Sequence, residues 1–148
     1  MTEKILDADT ISQVKDFFSQ LEKPVEILFF SKGSECRTCD DARQLASEVA
    51  EISDKIELKE YDIEKDSALA GNYHVDKTPT LIIAAKEDGK LTDYGLRYAG
   101  VPSGHEFGTF IKDLVLVSRR DSGLGPQMRE YLGALSKPLK FLVFFTPT

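Results

Sequence analysis

Residues 25–50, VEILFFSKGSECRTCDDARQLASEVA, contain both cysteines of the chain, Cys36 and Cys39. Residues 25–30 are almost all apolar and rich in branched and aromatic side chains, which predicts a buried strand. Residues 40–50 carry apolar side chains at helical spacing, which predicts a helix. A Cys-x-x-Cys at this junction places the first sulfur at a helix N-terminus, where unpaired N–H groups and the helix dipole stabilise a thiolate. The stretch therefore predicts a dithiol suited to thiol–disulfide exchange.

The helical spacing also separates the two sulfurs. Cys39 shares one side of the predicted helix with Ala42, Val49 and Ile52, so we expect its side chain to face the core. Cys36 stands at the start of the helix and is expected to reach solvent. In the reaction that this arrangement favours, the Cys36 thiolate attacks a disulfide, and Cys39 then resolves the mixed disulfide.

The neighbouring side chains are expected to tune the first thiol. Arg37 favours the Cys36 thiolate electrostatically, and we expect the Thr38 side chain to make a local hydrogen bond. Asp40 and Asp41 suit the positive end of a helix but oppose a nearby thiolate. The charges around the dithiol therefore act in both directions.

Length, charge and N-terminal sequence narrow the class of protein. The chain has 148 residues, enough for one domain or for one domain and a fragment, and a net charge of −6, which argues against nucleic acid as a partner. The N-terminus does not resemble a signal peptide, and no run approaches the roughly 18 apolar residues that span a bilayer. We therefore expect a cytoplasmic protein without a membrane partner. In a reducing compartment two cysteines favour a catalytic, redox-sensing or metal-binding role over a structural disulfide.

Outside residues 25–50 the chain predicts further helices and strands in alternation. In order, these are a helix before Pro24, a strand over 56–61, a short helix within 62–73, strands over 80–85 and 94–99, and a helix that begins with a capping box of Ser103 and Glu106. This order predicts an α/β fold with a four-stranded mixed sheet and helices on both faces.

The C-terminal residues repeat an earlier pattern. Residues 137–146, KPLKFLVFFT, echo residues 23–31, KPVEILFFS, and Pro126 is expected to open a helix before them. We interpret 1–122 as one unit, 123–138 as a linker and connecting helix, and 139–148 as the first strand of a truncated second unit. A chance match between two apolar runs is the alternative. The apolar strand is expected to pack on the body, to add to a sheet edge, or to mediate self-association with another copy.

A second motif supports a resemblance to a known superfamily. Residues 78–83, TPTLII, place Thr78 and Pro79 ahead of a buried strand about 40 residues after the cysteines. Together with the strand–Cys-x-x-Cys–helix unit, this resembles the thioredoxin and glutaredoxin superfamily. Three further stretches narrow the resemblance to the glutaredoxin-like protein disulfide oxidoreductases, which have two thioredoxin-like units. These are FFS at 29–31, GLRYAGVPSGHEF at 95–107 and FFTPT at 144–148.

The resemblance implies a thioredoxin-like fold and a protein disulfide oxidoreductase activity. It implies that Pro79 is cis and faces the sulfurs, and that the Thr78 backbone pairs with an extended substrate peptide. It implies no cofactor beyond the redox-active disulfide of Cys36 and Cys39. The expected partners are protein disulfide substrates and a reductase or dithiol donor. By this resemblance the chain stops just before the second Cys-x-x-Cys.

Two departures from the superfamily and two alternatives stay open. The residues between the cysteines are not the Gly-Pro of thioredoxin or the Pro-Tyr of glutaredoxin. Phe29 and Phe30 lie where thioredoxins bury an aspartate that assists proton transfer. One alternative is an interaction module without catalysis; the other is a metal or iron–sulfur site shared between two copies. His74 and His105 are too isolated to complete a metal site within one chain.

Overall fold

The computed structural model describes residues 3–144 and 146. Its helices and strands follow in the predicted order, and a short 3₁₀ turn, Gly33–Glu35, precedes the cysteines. The elements are α1 (Ala8–Phe18), β1 (Val25–Ser31), α2 (Cys39–Ala50), β2 (Ile56–Asp62), α3 (Ser67–Asn72), β3 (Thr80–Glu87), β4 (Lys90–Ala99), α4 (His105–Ser118) and α5 (Pro126–Gly133).

The four strands form one mixed sheet in the order β2-β1-β3-β4. β1 runs parallel to β2 and antiparallel to β3, and β4 is antiparallel to β3. The register places Phe29 of β1 between Glu60 of β2 and Leu81 of β3. The predicted four-stranded mixed sheet is confirmed, and its central strand is the apolar run that precedes the cysteines.

The side chains of β1 alternate between two apolar clusters on opposite faces of the sheet. Val25, Ile27 and Phe29 belong to the larger cluster, which α1, α2 and α4 cover. Leu28 and Phe30 belong to the smaller cluster, which residues of α3 and its surroundings cover. A strand buried on both faces reads as a continuous apolar run because neither set of side chains meets water. Helices on both faces of the sheet are therefore confirmed.

The predicted start of α4 is wrong. The first residue of this helix is His105, and its N-cap is Gly104, with φ 60° and no side-chain hydrogen bond to the helix. Ser103 consequently lies outside the capping position. A glycine takes this place because a positive φ is unfavourable for residues that have a Cβ atom.

The C-terminal segment also differs from its prediction. The connecting helix forms as α5, but residues 139–144 are neither helix nor strand, and Phe141 and Phe144 are 79% and 89% exposed. A strand needs a hydrogen-bonded neighbour, and the described sheet pairs only its own four strands. Residues 145, 147 and 148 of the predicted strand lie outside the described residues. A second unit that begins here stays a prediction.

A buried serine joins the end of α4 to the start of β1. The Ser118 hydroxyl donates to the carbonyl of Lys23 at 2.7 Å and accepts from the backbone N–H groups of Glu22 and Lys23 at 2.8 and 3.1 Å. Its side chain is fully buried. We expect Ser118→Ala to lower the free energy of unfolding by about 2 kcal/mol, because the backbone groups lose their partner. Urea unfolding measures this loss.

An exposed serine provides the control for this prediction. Ser19 donates to the carbonyl of Asp16 at 2.6 Å at the end of α1, where water replaces a lost partner. Ser19→Ala is therefore expected to change the free energy of unfolding by less than about 0.5 kcal/mol. Equal losses in the two variants would contradict the role given to Ser118.

Candidate active site

The two cysteines lie between the 3₁₀ turn and α2 and form a disulfide with a Cα–Cα distance of 5.4 Å. Cys39 is the first residue of α2 and is 2% exposed, within the larger apolar cluster. Cys36 is partly buried and packs against the same cluster. The prediction that Cys39 faces the core is confirmed. Of the two sulfur-bearing residues, Cys36 is the more accessible to a second molecule.

The turn that leads to the first cysteine is anchored to the residues after β2. The Gly33 N–H donates to the carboxylate of Asp62 at 3.3 Å, and Lys32 lies 3.3 Å from the carboxylate of Glu64. Backbone N–H groups of Lys65 and Glu64 also donate to Asp62, and they hold the pKa of this carboxyl below its usual value. These contacts stabilise the turn and so the position of the dithiol.

Arg37 and Thr38 are both exposed between the cysteines. Thr38 is the N-cap of α2, and its carbonyl accepts from the backbone N–H of Ala42 at 3.1 Å. Its side chain makes no hydrogen bond to the helix end, so it is not the capping group. Arg37 lies where the sequence analysis predicts it, and its effect on the thiolate stays a prediction.

Sequence analysis missed two charged residues beside the dithiol. Arg43 follows Cys39 by one helical turn, and its guanidinium donates to Asp40 at 2.7 Å and to Glu60 of β2 at 2.9 Å. The same guanidinium lies 5.6 Å from the centre of the Phe29 ring. The four-residue spacing from Cys39 is a signal that the sequence does contain. The contact with Glu60 follows from the packing of α2 on the sheet.

The Thr78–Pro79 segment lies at the end of the sheet that carries the dithiol. Its peptide bond is cis, as predicted. Thr80 at the start of β3 pairs with Phe30 near the end of β1, and β1 continues into the turn before the cysteines. The Pro79 carbonyl accepts from the N–H of Gly100 at 2.9 Å, which joins the segment to the end of β4. Binding of substrate by Thr78 and Pro79 stays a prediction.

The two histidines lie apart from each other in the chain and are both exposed. His74 follows α3 with a positive φ of 54°, and His105 begins α4. Residues 3–144 and 146 contain no group of three or more histidine, cysteine, aspartate or glutamate side chains that is arranged to bind a metal ion. Across the same residues, no helix combines the length and apolar character that crossing a bilayer requires. A metal site shared between two copies stays a prediction.

Solved structures with the same arrangement of strands and helices include redox proteins. A protein disulfide oxidoreductase from Aeropyrum pernix K1 superposes with a TM-score of 0.76 at 25% identity, over 89% of this chain and 57% of that one. The NTD_N/C domain of the alkylhydroperoxide reductase AhpF from Enterococcus faecalis gives 0.78 at 23% identity, over 89% and 62%. The chain has a thioredoxin-like fold.

Sequence relatives of this thioredoxin-like chain include longer proteins. No protein-family model matches it. It is 26% identical over 148 residues to an alkyl hydroperoxide reductase of Escherichia coli K12, and the match covers 96% of this chain. The chain spans about a quarter of the length of that relative. It is also 32% identical over 75 residues to thioredoxin Y, chloroplastic, of Oryza sativa, over 50% of this chain and 44% of the relative.

Proposed function

We propose that this protein is a thiol–disulfide oxidoreductase that exchanges disulfides of protein substrates through Cys36 and Cys39. The observation that carries the proposal is the pairing of a partly buried Cys36 with a fully buried Cys39 at the start of a helix. An accessible sulfur attacks a substrate more readily than a buried one. The buried sulfur is protected from outside disulfides and is placed to attack its neighbour.

The reaction consists of two exchanges of sulfur partners. In the reduced protein the Cys36 thiolate attacks one sulfur of a substrate disulfide, and a Cys36–substrate bond forms while the substrate bond breaks. The other substrate sulfur leaves as a thiolate and takes a proton from water. Cys39 loses its proton and attacks Cys36, which forms the Cys36–Cys39 disulfide and releases the second substrate thiol. Two electrons pass from the protein to the substrate.

A dithiol donor or a reductase completes the cycle by the reverse exchange. One donor thiolate attacks the Cys36–Cys39 disulfide, and its second thiol displaces the protein, so the donor becomes the disulfide. The disulfide form that the structure shows is the one that accepts these electrons. No further cofactor enters this scheme.

Recognition of a protein substrate is assigned to the segment beside the dithiol. We expect the Thr78 backbone to pair with an extended substrate peptide next to Pro79, because a backbone contact accepts many sequences. Arg37 and Thr38 are exposed beside the sulfurs and meet the same substrate. The name of the Aeropyrum pernix relative, a protein disulfide oxidoreductase, supports this class of substrate.

A single-turnover experiment tests the proposed function. The protein is reduced with dithiothreitol, freed of the reagent and mixed with an equal amount of insulin. We expect the reduced protein to return to its disulfide form and insulin chains to separate in proportion, because two electrons pass per dithiol. Thiol labelling and mass spectrometry measure both products.

Reduced protein whose thiols are blocked with N-ethylmaleimide provides the control and is expected to leave insulin intact. If the unblocked protein remains reduced and insulin remains intact, the proposal is wrong. That result favours the interaction module without catalysis.

A further inference from the structure

The side of the dithiol that faces the sheet lacks a carboxylate on β1. Phe29 is fully buried in the apolar cluster that also contains Cys39, at the place where thioredoxins bury an aspartate. Its register partner on β2 is Glu60. The carboxylate next to this position therefore comes from β2, and Arg43 binds it at 2.9 Å.

The position of Arg43 relates this ion pair to the sulfurs. Residues four apart on a helix have Cβ atoms about 6 Å apart, so the side chain of Arg43 begins next to Cys39. The guanidinium then lies over the Phe29 ring, between α2 and β2, with its side chain 38% exposed. Asp40 binds the same guanidinium at 2.7 Å. One cation and two carboxylates thus surround the buried wall of the dithiol.

We infer that the Arg43–Glu60 pair sets the reduction potential of the Cys36–Cys39 disulfide, an inference that rests on the proposed function. Only the reduced form carries a thiolate, so a nearby cation stabilises the reduced form and a nearby carboxylate destabilises it. The apolar cluster around Cys39 limits screening by water and salt. Both residues act through the cysteines as positioning residues and take no part in bond making.

Removal of each partner in turn is expected to move the potential in opposite directions. Arg43→Gln leaves Asp40 and Glu60 uncompensated, so the reduced form loses stability and the protein becomes more reducing. Glu60→Gln leaves the Arg43 cation less neutralised, so the protein becomes more oxidising. We expect the equilibrium constant with glutathione to change about threefold in each case, or about 14 mV at about 30 mV per factor of ten.

The measurement is equilibration with defined ratios of reduced and oxidised glutathione at pH 7, followed by thiol trapping. Arg43→Lys keeps the cation and is expected to remain near the wild-type potential. Arg129→Gln removes an arginine that pairs with Asp121, outside α2 and β2, and is the matched control with no shift. A contribution through folding alone would move Arg43→Gln and Glu60→Gln in the same direction.

Shifts of the same sign, or no shift in either variant, would overturn the inference. The glutathione equilibrium does not require turnover of a protein substrate. If wild-type protein fails to reduce insulin but the variants shift in opposite directions, the proposed function fails and the electrostatic inference stands. If insulin is reduced and the potentials do not move, only the inference fails.

Discussion

Replacement of Cys36 with serine is expected to abolish reduction of insulin, leaving only the background rate of the dithiol donor. A serine hydroxyl is not ionised at neutral pH, so it neither attacks a disulfide nor forms the mixed intermediate. The neighbouring Cys39 does not substitute for it, because its side chain is 2% exposed. The measurement is insulin precipitation with dithiothreitol as electron donor.

The matched variant, Cys39→Ser, separates the two steps of the reaction. Its Cys36 thiolate still attacks the substrate, but no second thiol resolves the product. A covalent adduct between protein and insulin chain is therefore expected to accumulate and to disappear when excess dithiothreitol is added. A non-reducing gel detects the adduct. Equal insulin reduction by the wild type and Cys36→Ser would contradict the assigned roles and favour the interaction module.

Parts of the fold that depend on local sequence were predicted well. β1 and α2 were recognised because one is a continuous apolar run and the other has helical spacing. The Pro79 peptide was expected to be cis from the motif that contains it, and it is cis. The start of α4 was wrong, because a capping box specifies a pattern of side chains, whereas Gly104 occupies the N-cap through its backbone conformation.

The candidate site was predicted in part for a related physical reason. Cys36 and Cys39 are close in sequence, so the chain itself brings them together. Arg43 and Glu60 are 17 residues apart and belong to different elements. Their contact depends on which strand lies beside β1 and in which register, and several registers are compatible with the alternation of β2. The tail differs because a strand requires a partner that a local pattern does not supply.

The residue beneath the dithiol is expected to have a large effect on stability. Phe29 is fully buried between β2 and β3 neighbours and carries the Arg43 guanidinium on its ring. We expect Phe29→Ala to lower the free energy of unfolding by about 3–5 kcal/mol, because it removes a large apolar side chain and leaves a cavity. Loss of the cation–π contact adds to this effect. Urea unfolding of the disulfide form measures the change.

Phe29→Leu is the control, because leucine fills most of the same volume without an aromatic face. Its loss is expected to be below about 1.5 kcal/mol. Since small domains have a total stability of about 5–15 kcal/mol, the alanine variant is expected to unfold at a much lower urea concentration than the leucine variant. A loss below about 1 kcal/mol in Phe29→Ala would show that the cluster rearranges to fill the cavity. Phe29 would then not be the rigid apolar support of the dithiol that its burial indicates.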